Sequence, residues 1–300
     1  MSFDLYFAGC QNRMLYDWLA QNNGCKLFSQ VSERPDIEYW CSKDSGKLFI
    51  DSGAYSVYTK NIDLDVDEYI DYINSIDKHL TIFAQVDKLP GVYGQPKTKE
   101  QILEAPELSW QNYCYMRKYV KSPDKLLPIF HRRENWKYLH QILETTFDGK
   151  HIPYIGLAAT TDSTVKEKEE WFDKCFDIIK KSSNPNVKTH AFGMTSLRLL
   201  ERYPFTSADS TSWIMVGANG NIMTPFGLMT VSDSQAHLKN HISNNIGEEK
   251  LKKYLQSIGI ELELVKTDYK YRMLANLIYL KNWADNYVYK GSKITRKKLF

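Results

Sequence analysis

What this sequence lacks narrows it first. Its five cysteines, Cys10, Cys25, Cys41, Cys114 and Cys175, are scattered and odd in number. None forms a Cys-x-x-Cys or Cys-x-Cys pair, and no Cys/His cluster has zinc spacing. That pattern argues against a structural zinc site and fits a reducing compartment. No apolar run approaches the roughly 20 residues that span a bilayer. The opening MSFDLYFAGCQNRM lacks the basic start and apolar stretch of a signal peptide. Low-complexity segments, internal repeats and His-x-His or carboxylate clusters with metal-ligand spacing are also missing. These absences predict a soluble, cytoplasmic protein that uses no metal or cofactor and does not enter a membrane.

Charge of one sign is scarce as well. The formal net charge is +3, too small to prove a polyanionic partner. Its distribution is uneven: Lys266 to Phe300 holds nine Lys/Arg against two Asp, and Lys290 to Phe300 holds five bases and no acid. Such a tail is either a solvated end or an arm that contacts phosphates through residues such as Arg296, Lys297 and Lys298. What is plentiful is aromatic: 20 Tyr, 13 Phe and 7 Trp, which fill cores and also stack on planar bases.

Short apolar runs recur along the chain, at Leu5–Gly9, Lys47–Asp51, Thr81–Asp87, Leu126–His131, Tyr154–Ala159, Lys188–Gly193 and Thr206–Ser210. Amphipathic stretches alternate with them, at Arg13–Asn22, Asp65–Ile76, Lys99–Val120, Asn135–Thr145, Val165–Lys181 and Ser196–Arg202. Thr164 or Ser163 is placed to cap the helix that starts at Val165, with Glu167 nearby. This alternation predicts parallel βα units. Seven strands, an eighth around Asn221–Thr224 and a length of 300 residues suit a (β/α)8 barrel over residues 1–246. Residues 247–300 read as a mainly helical extension with the basic tail.

Barrel enzymes build their sites at the C-terminal ends of the strands. Read in order, those ends carry Asp51-Ser52-Gly53, Asp87, His131-Arg132, Gly156-Leu157, Phe192-Gly193 and Asp209-Ser210. Carboxylates and a histidine thus converge on one mouth, with glycines that let backbone approach a ligand closely. Asp51 in FIDSGAYS and Asp209 in TSADSTSW are each flanked by small residues that keep the carboxylate accessible. A carboxylate pair suits chemistry at a glycosidic carbon, one member attacking while the other handles protons. Arg132 is a candidate phosphate contact. His190, inside a strand, reads as structural.

From Phe49 to about Trp213 these motifs resemble the tRNA-guanine transglycosylase superfamily, including relatives that place 7-deazaguanine bases in DNA. FIDSGAYS resembles the family's Asp-Ser-Gly-Gly-aromatic-Gln segment, which implies Asp51 as acid/base residue, Ser52 beside the base and Tyr55 beneath it. IFAQVD is similar to the strand whose terminal Asp reads the base edge, here Asp87. PIFHR stands where the family has Gln-Gly, so His131 replaces the base-reading Gln. FDGKHIPYIGLAA resembles the segment whose Gly-Leu backbone contacts the base, here Gly156 and Leu157. THAFGMTS implies Phe192 as the second face of a base sandwich with Gly193 beside it, and SADSTSW implies Asp209 as nucleophile. The family's Cys-x-Cys-x-x-Cys…His zinc module is absent, and Gly-Gly and Gln are replaced by Gly53-Ala54 and Ser56. With the zinc module missing and Asp209 set in Asp-Ser-Thr-Ser-Trp, the resemblance leans toward the DNA-acting, phage-borne branch. It implies exchange of guanine for a 7-deazaguanine such as preQ0 in a polynucleotide, DNA before tRNA. A glycosidic-bond hydrolase with the same carboxylates and a non-catalytic nucleic-acid-binding subunit are the alternatives.

Overall fold

The computed structural model describes residues 3–9, 12–159, 163–194, 196–238, 240–242 and 247–291. Nine parallel strand segments make one sheet: β1 (Asp4–Phe7), β2 (Cys25–Ser29), β3 (Lys47–Asp51), β4 (Leu80–Ala84), β5 (Leu126–Leu127), β6 (Ile129–His131), β9 (Tyr154–Ala158), β10 (Lys188–Phe192) and β11 (Ser207–Ser210). Between β6 and β9 the short strands β7 (Thr146–Phe147) and β8 (Lys150–His151) form a separate hairpin. The order in the large sheet is β5-β4-β3-β2-β1-β11-β10-β9-β6. Its two end strands, β5 and β6, are consecutive in sequence and separated only by Pro128. Leu127 O accepts from Gln85 N on the β4 side at 3.0 Å, and Pro128 O accepts from Gly156 N in β9 at 2.8 Å. The sheet therefore curls until its ends nearly meet, in a barrel-like arrangement compatible with a TIM-type barrel.

Helices alternate with the strands: α1 (Arg13–Gln21), α2 (Arg34–Cys41), α3 (Ala54–Lys60), α4 (Val66–Ile76), α5 (Lys99–Tyr119), α6 (Trp136–Glu144), α7 (Val165–Lys181), α8 (Leu197–Arg202) and α9 (Ser212–Ala218). Their starts follow local chemistry. Asp65, Thr98, Asn135 and Thr164 each accept a backbone N–H of the first turn through the side chain. Thr164 completes a capping box with Glu167, so it and not Ser163 is the cap of α7. In α7 Trp171, Phe172, Cys175, Ile178 and Ile179 form a helical stripe buried against the sheet. Inside the sheet, the alternate residues Tyr6, Leu27, Phe49, Ile82, Leu127, Ile129 and Tyr154 pack as a second cluster.

Two sequence expectations need correction. Asn221–Thr224 is a strand, β12, but it pairs antiparallel with β13 (Gly227–Thr230) in its own hairpin and does not join the large sheet. The strand absent from the sequence reading is β2. Lys26 interrupts its apolar pattern, yet that side chain is buried: its ammonium lies 4.1 Å from the Phe28 ring centroid and donates to Gly9 O and Leu27 O. A long aliphatic stem with a tip that finds carbonyls lets lysine occupy a core-facing site.

The hairpin packs with α10 (Glu248–Ser257), α11 (Leu262–Thr267) and α12 (Tyr269–Asp285) around Ile222, Val231, Ile242, Leu251 and Val265. That cluster crosses the expected boundary at 246/247. Helix α12 also buries Met273, Leu277 and Leu280 against the main core. Asn276 ties the two units together: its Oδ1 accepts from Met223 N at 2.6 Å and its Nδ2 donates to Trp213 O at 3.0 Å. Each buried backbone group left unpaired costs about 1–3 kcal/mol. Asn276→Leu is therefore expected to lower unfolding stability by about 2–5 kcal/mol in chemical denaturation; a change below about 0.5 kcal/mol would contradict the tether.

Candidate active site

Strand alternation decides which side chains meet at the mouth. In β3, Leu48 and Ile50 join the core under the helices, whereas Phe49 belongs to the cluster inside the sheet and Asp51 follows it on that face two residues on. Gly53 then adopts φ +76°, and a Cβ there would lie 2.6 Å from Val31 Cγ2 and 2.9 Å from Ser29 Oγ. Only glycine fits this turn, which brings the Gly53 N–H to Asp51 Oδ2 at 3.1 Å. Burial pushes the Asp51 carboxyl up to about 7; the Gly53 N–H opposes this, and Asp87, Asp209 and Glu33 push the same way as burial. Ser52 is buried, while Tyr55 on α3 is 66% exposed.

Asp209 is 8% exposed at the end of β11. Its Oδ1 accepts from Gly193 N at 2.8 Å and faces His190 Nε2 at 3.1 Å. Gly193 has φ +59°, the left-handed turn that aims this N–H back at the carboxylate. His190 Nδ1 lies 2.6 Å from Ser207 Oγ, which in turn lies 2.6 Å from Tyr154 OH. His190, expected to be structural, is fully buried within β10 and also reaches the Asp209 carboxylate. The alternation in β10 puts it on the same face as Phe192, and the alternation in β11 puts Ser207 on the same face as Asp209. The signal lies in the alternation of THAF and SADS, two residues in from the strand ends.

Asp87 and His131 form an ion-pair contact, Oδ2 to Nε2 at 2.9 Å, and Gln85 Nε2 donates to Asp87 Oδ1 at 2.6 Å. Both oxygens of the expected base reader are thus engaged, although a carboxylate oxygen keeps a second lone pair for a ligand donor. Burial works against charge on His131, but Asp87 and Glu134 outweigh it and raise the ring to about 9. Glu134, whose Oε2 accepts from His131 N at 3.0 Å, is itself pushed up to about 6 by burial, against the pull of His131. Gln85 and Glu134 escaped the sequence reading because neither stands at the last position of a run.

Gly156 makes room for Phe192: a Cβ would meet the ring edge at 2.4 Å. The Phe192 ring packs edge-on to His190 and Phe49, with centroids 4.6 and 5.7 Å away. Leu157 points outward into the core under the helices, so only its backbone is shared with the inner face. Arg132 is engaged by Ser163 Oγ at 2.8 Å and Glu167 at 3.2 Å, at the start of α7. Arg296, Lys297 and Lys298 lie outside the described residues. Among the described residues no group of three His, Cys, Asp or Glu is arranged to hold a metal, and no helix is long and apolar enough to cross a membrane.

The raised groups have a consequence for stability. Asp51, Glu134 and His131 all bind a proton more tightly folded than unfolded. Each contribution is complete below the unfolded value and is lost as pH rises through the folded one. The carboxyls lose theirs between about pH 4 and 7, and His131 between about pH 6.5 and 9. The thermal midpoint is expected to fall across that whole span, with His131→Asn flattening the upper part. A midpoint that rises from about pH 6.5 to 9 would contradict this assignment.

No protein-family model matches this chain, and no match was found among curated proteins. The arrangement speaks through its own chemistry: a carboxyl that holds a proton near neutrality, a second carboxylate fixed through one oxygen, and a histidine–aspartate pair beside them.

Proposed function

We propose that this chain is a base-exchange transglycosylase that replaces guanine in a polynucleotide with a 7-deazaguanine base such as preQ0. The observation that carries this reading is the unlike pair at the strand ends, Asp51 raised to about 7 and Asp209 held by two contacts on one oxygen. Counting β5 and β6 as one strand interrupted by Pro128, we read the sheet as an eight-stranded (β/α)8 barrel, the scaffold on which such strand-end sites are built.

In this mechanism Asp209 attacks C1′ of the target nucleotide as the bond to the base breaks. The proton on Asp51 passes to the departing guanine, leaving a nucleotide ester on Asp209 and an ionised Asp51. The incoming 7-deazaguanine then gives its N9 proton to Asp51 and displaces Asp209 from C1′. The Asp87–His131 pair faces the base edge, and Phe192 and the exposed Tyr55 offer rings for stacking, worth roughly 1–3 kcal/mol per base. Attack at C1′ needs the nucleotide out of the duplex, flipped or already single-stranded. The preference for DNA over tRNA rests on the missing zinc motif and the Asp-Ser-Thr-Ser-Trp setting of Asp209.

Nucleosides digested from DNA and from tRNA of cells that express the chain and are supplied with preQ0 test this reading by mass spectrometry. The expected product is the 7-deazaguanine deoxynucleoside in DNA. The same base in tRNA alone would reassign the polynucleotide. Abasic sites without new base would make the chain a glycosidic-bond hydrolase, and unaltered nucleic acid would favour a non-catalytic binding subunit.

A further inference from the structure

We infer that Tyr154, Ser207 and His190 form a one-way hydrogen-bond chain that positions Asp209 and leaves its Oδ2 as the attacking oxygen, an assignment that rests on the nucleophile role proposed above. All three chain members are buried inside the sheet. The rings of Phe49, Phe192 and Tyr6 surround the imidazole, with centroids at 4.8, 4.6 and 6.0 Å. Inside such a wall a polar hydrogen left without a partner is costly, so the donors and acceptors can be weighed against one another.

The count favours one direction. His190 Nε2 faces Asp209 Oδ1; the nucleophile role calls for a carboxylate, which only accepts, so Nε2 carries the hydrogen. If Nδ1 carried one too, Ser207 Oγ would have to accept it and give its own hydrogen to Tyr154. The Tyr154 O–H would then have no acceptor among the described residues. With Nδ1 bare, each group is satisfied: Tyr154 donates to Ser207, Ser207 donates to His190, and His190 donates to Asp209. The tautomer is thus set from the far end of the chain, two residues from the carboxylate it serves.

The chain meets a second donor on the same oxygen. Gly193 N–H also reaches Oδ1, whereas Oδ2 has no hydrogen-bond partner among the described residues. Two donors on one oxygen draw charge toward it and fix the carboxylate plane, and Oδ2 keeps its lone pairs for C1′. His190 is therefore a positioning residue: it touches Asp209 and acts on the substrate only through it.

Nitrogen-15 NMR of the full chain labelled at histidine tests the tautomer directly, with His190→Gln identifying the resonance. A hydrogen on Nε2 and a bare, accepting Nδ1 are expected; a hydrogen on Nδ1 overturns the chain whatever the enzyme does. Ser207→Ala, a small change, is expected to shift the Nδ1 resonance while Nε2 stays protonated. If Nδ1 is unmoved, Ser207 is not its donor. Kinetics supply the second readout. Glutamine can place an N–H where Nε2 stands, so His190→Gln should keep kcat within about 10-fold of wild type. His190→Phe keeps the ring but not the donor, and its kcat should fall about 100-fold with KM for the oligonucleotide little changed. Equal losses in both variants, or a loss confined to KM, would contradict the positioning role. Full activity in Asp209→Asn would overturn the attacking-oxygen assignment and the nucleophile together, leaving the tautomer result standing.

Discussion

Asp209→Asn is expected to reduce base exchange by at least about 10⁴-fold while leaving the protein folded. The amide has the volume of the carboxylate, and its oxygen still accepts from Gly193 N–H and His190 Nε2 where Oδ1 now does. What it loses is the anionic oxygen that bonds to C1′ in the proposed mechanism. The unfolding midpoint should stay close to that of wild type, because no buried partner is stranded. A variant that unfolds would leave the rate uninformative, so the two measurements belong together. A folded Asp209→Asn protein with wild-type exchange would remove the nucleophile.

Asp51→Asn separates the two halves of the reaction. With its carboxyl raised to about 7, Asp51 is divided between its two forms at neutral pH, the condition under which one group serves as acid and then as base. In the proposed mechanism, formation of the nucleotide ester needs the protonated form and should decline as pH rises through about 7. Capture of the incoming base needs the ionised form and should decline as pH falls below about 7. Asparagine does neither, although its oxygen can still accept from Gly53 N–H. Both half-reactions should slow, by about 10²- to 10⁴-fold, and lose their opposing pH dependence. Two half-reactions with the same pH profile in wild type would contradict a shared acid/base residue.

Much of the framework was legible because its signals are local. The run at Lys47–Asp51 and the stripe from Val165 to Lys181 appear with the bounds read from sequence, since strand alternation and a Thr164–Glu167 capping box are encoded within a few residues. The features that escaped depend on neighbours distant in sequence. Lys26 belongs to a strand only because Gly9 O, Leu27 O and the Phe28 ring receive it. Asn221–Thr224 has the right residues for a strand, but its partner is the adjacent Gly227–Thr230 and not the large sheet. The break at Pro128 shows the same dependence: one apolar run serves two neighbours, β4 and β9.

The site followed the same rule. Asp51, Asp87, His131, Phe192 and Asp209 announce themselves at strand ends, and the fold gathers them on one rim. Their electrostatics were not legible. Asp87 is already bound by His131 and Gln85, and Asp209 is held by a histidine buried deeper in the same sheet. Tyr55, expected beneath a base, stands largely in solvent, whereas Phe192 is packed over Gly156.

The most direct test is the intact mass of the protein after incubation with a guanine-containing single-stranded oligonucleotide and quenching in denaturant. With wild type, and more abundantly with Asp51→Asn if base capture is slowed further than ester formation, a species heavier by the oligonucleotide less one guanine is expected, with the linkage mapping to Asp209. An adduct that persists in Asp209→Asn, or none in any variant while exchange proceeds, would contradict the account.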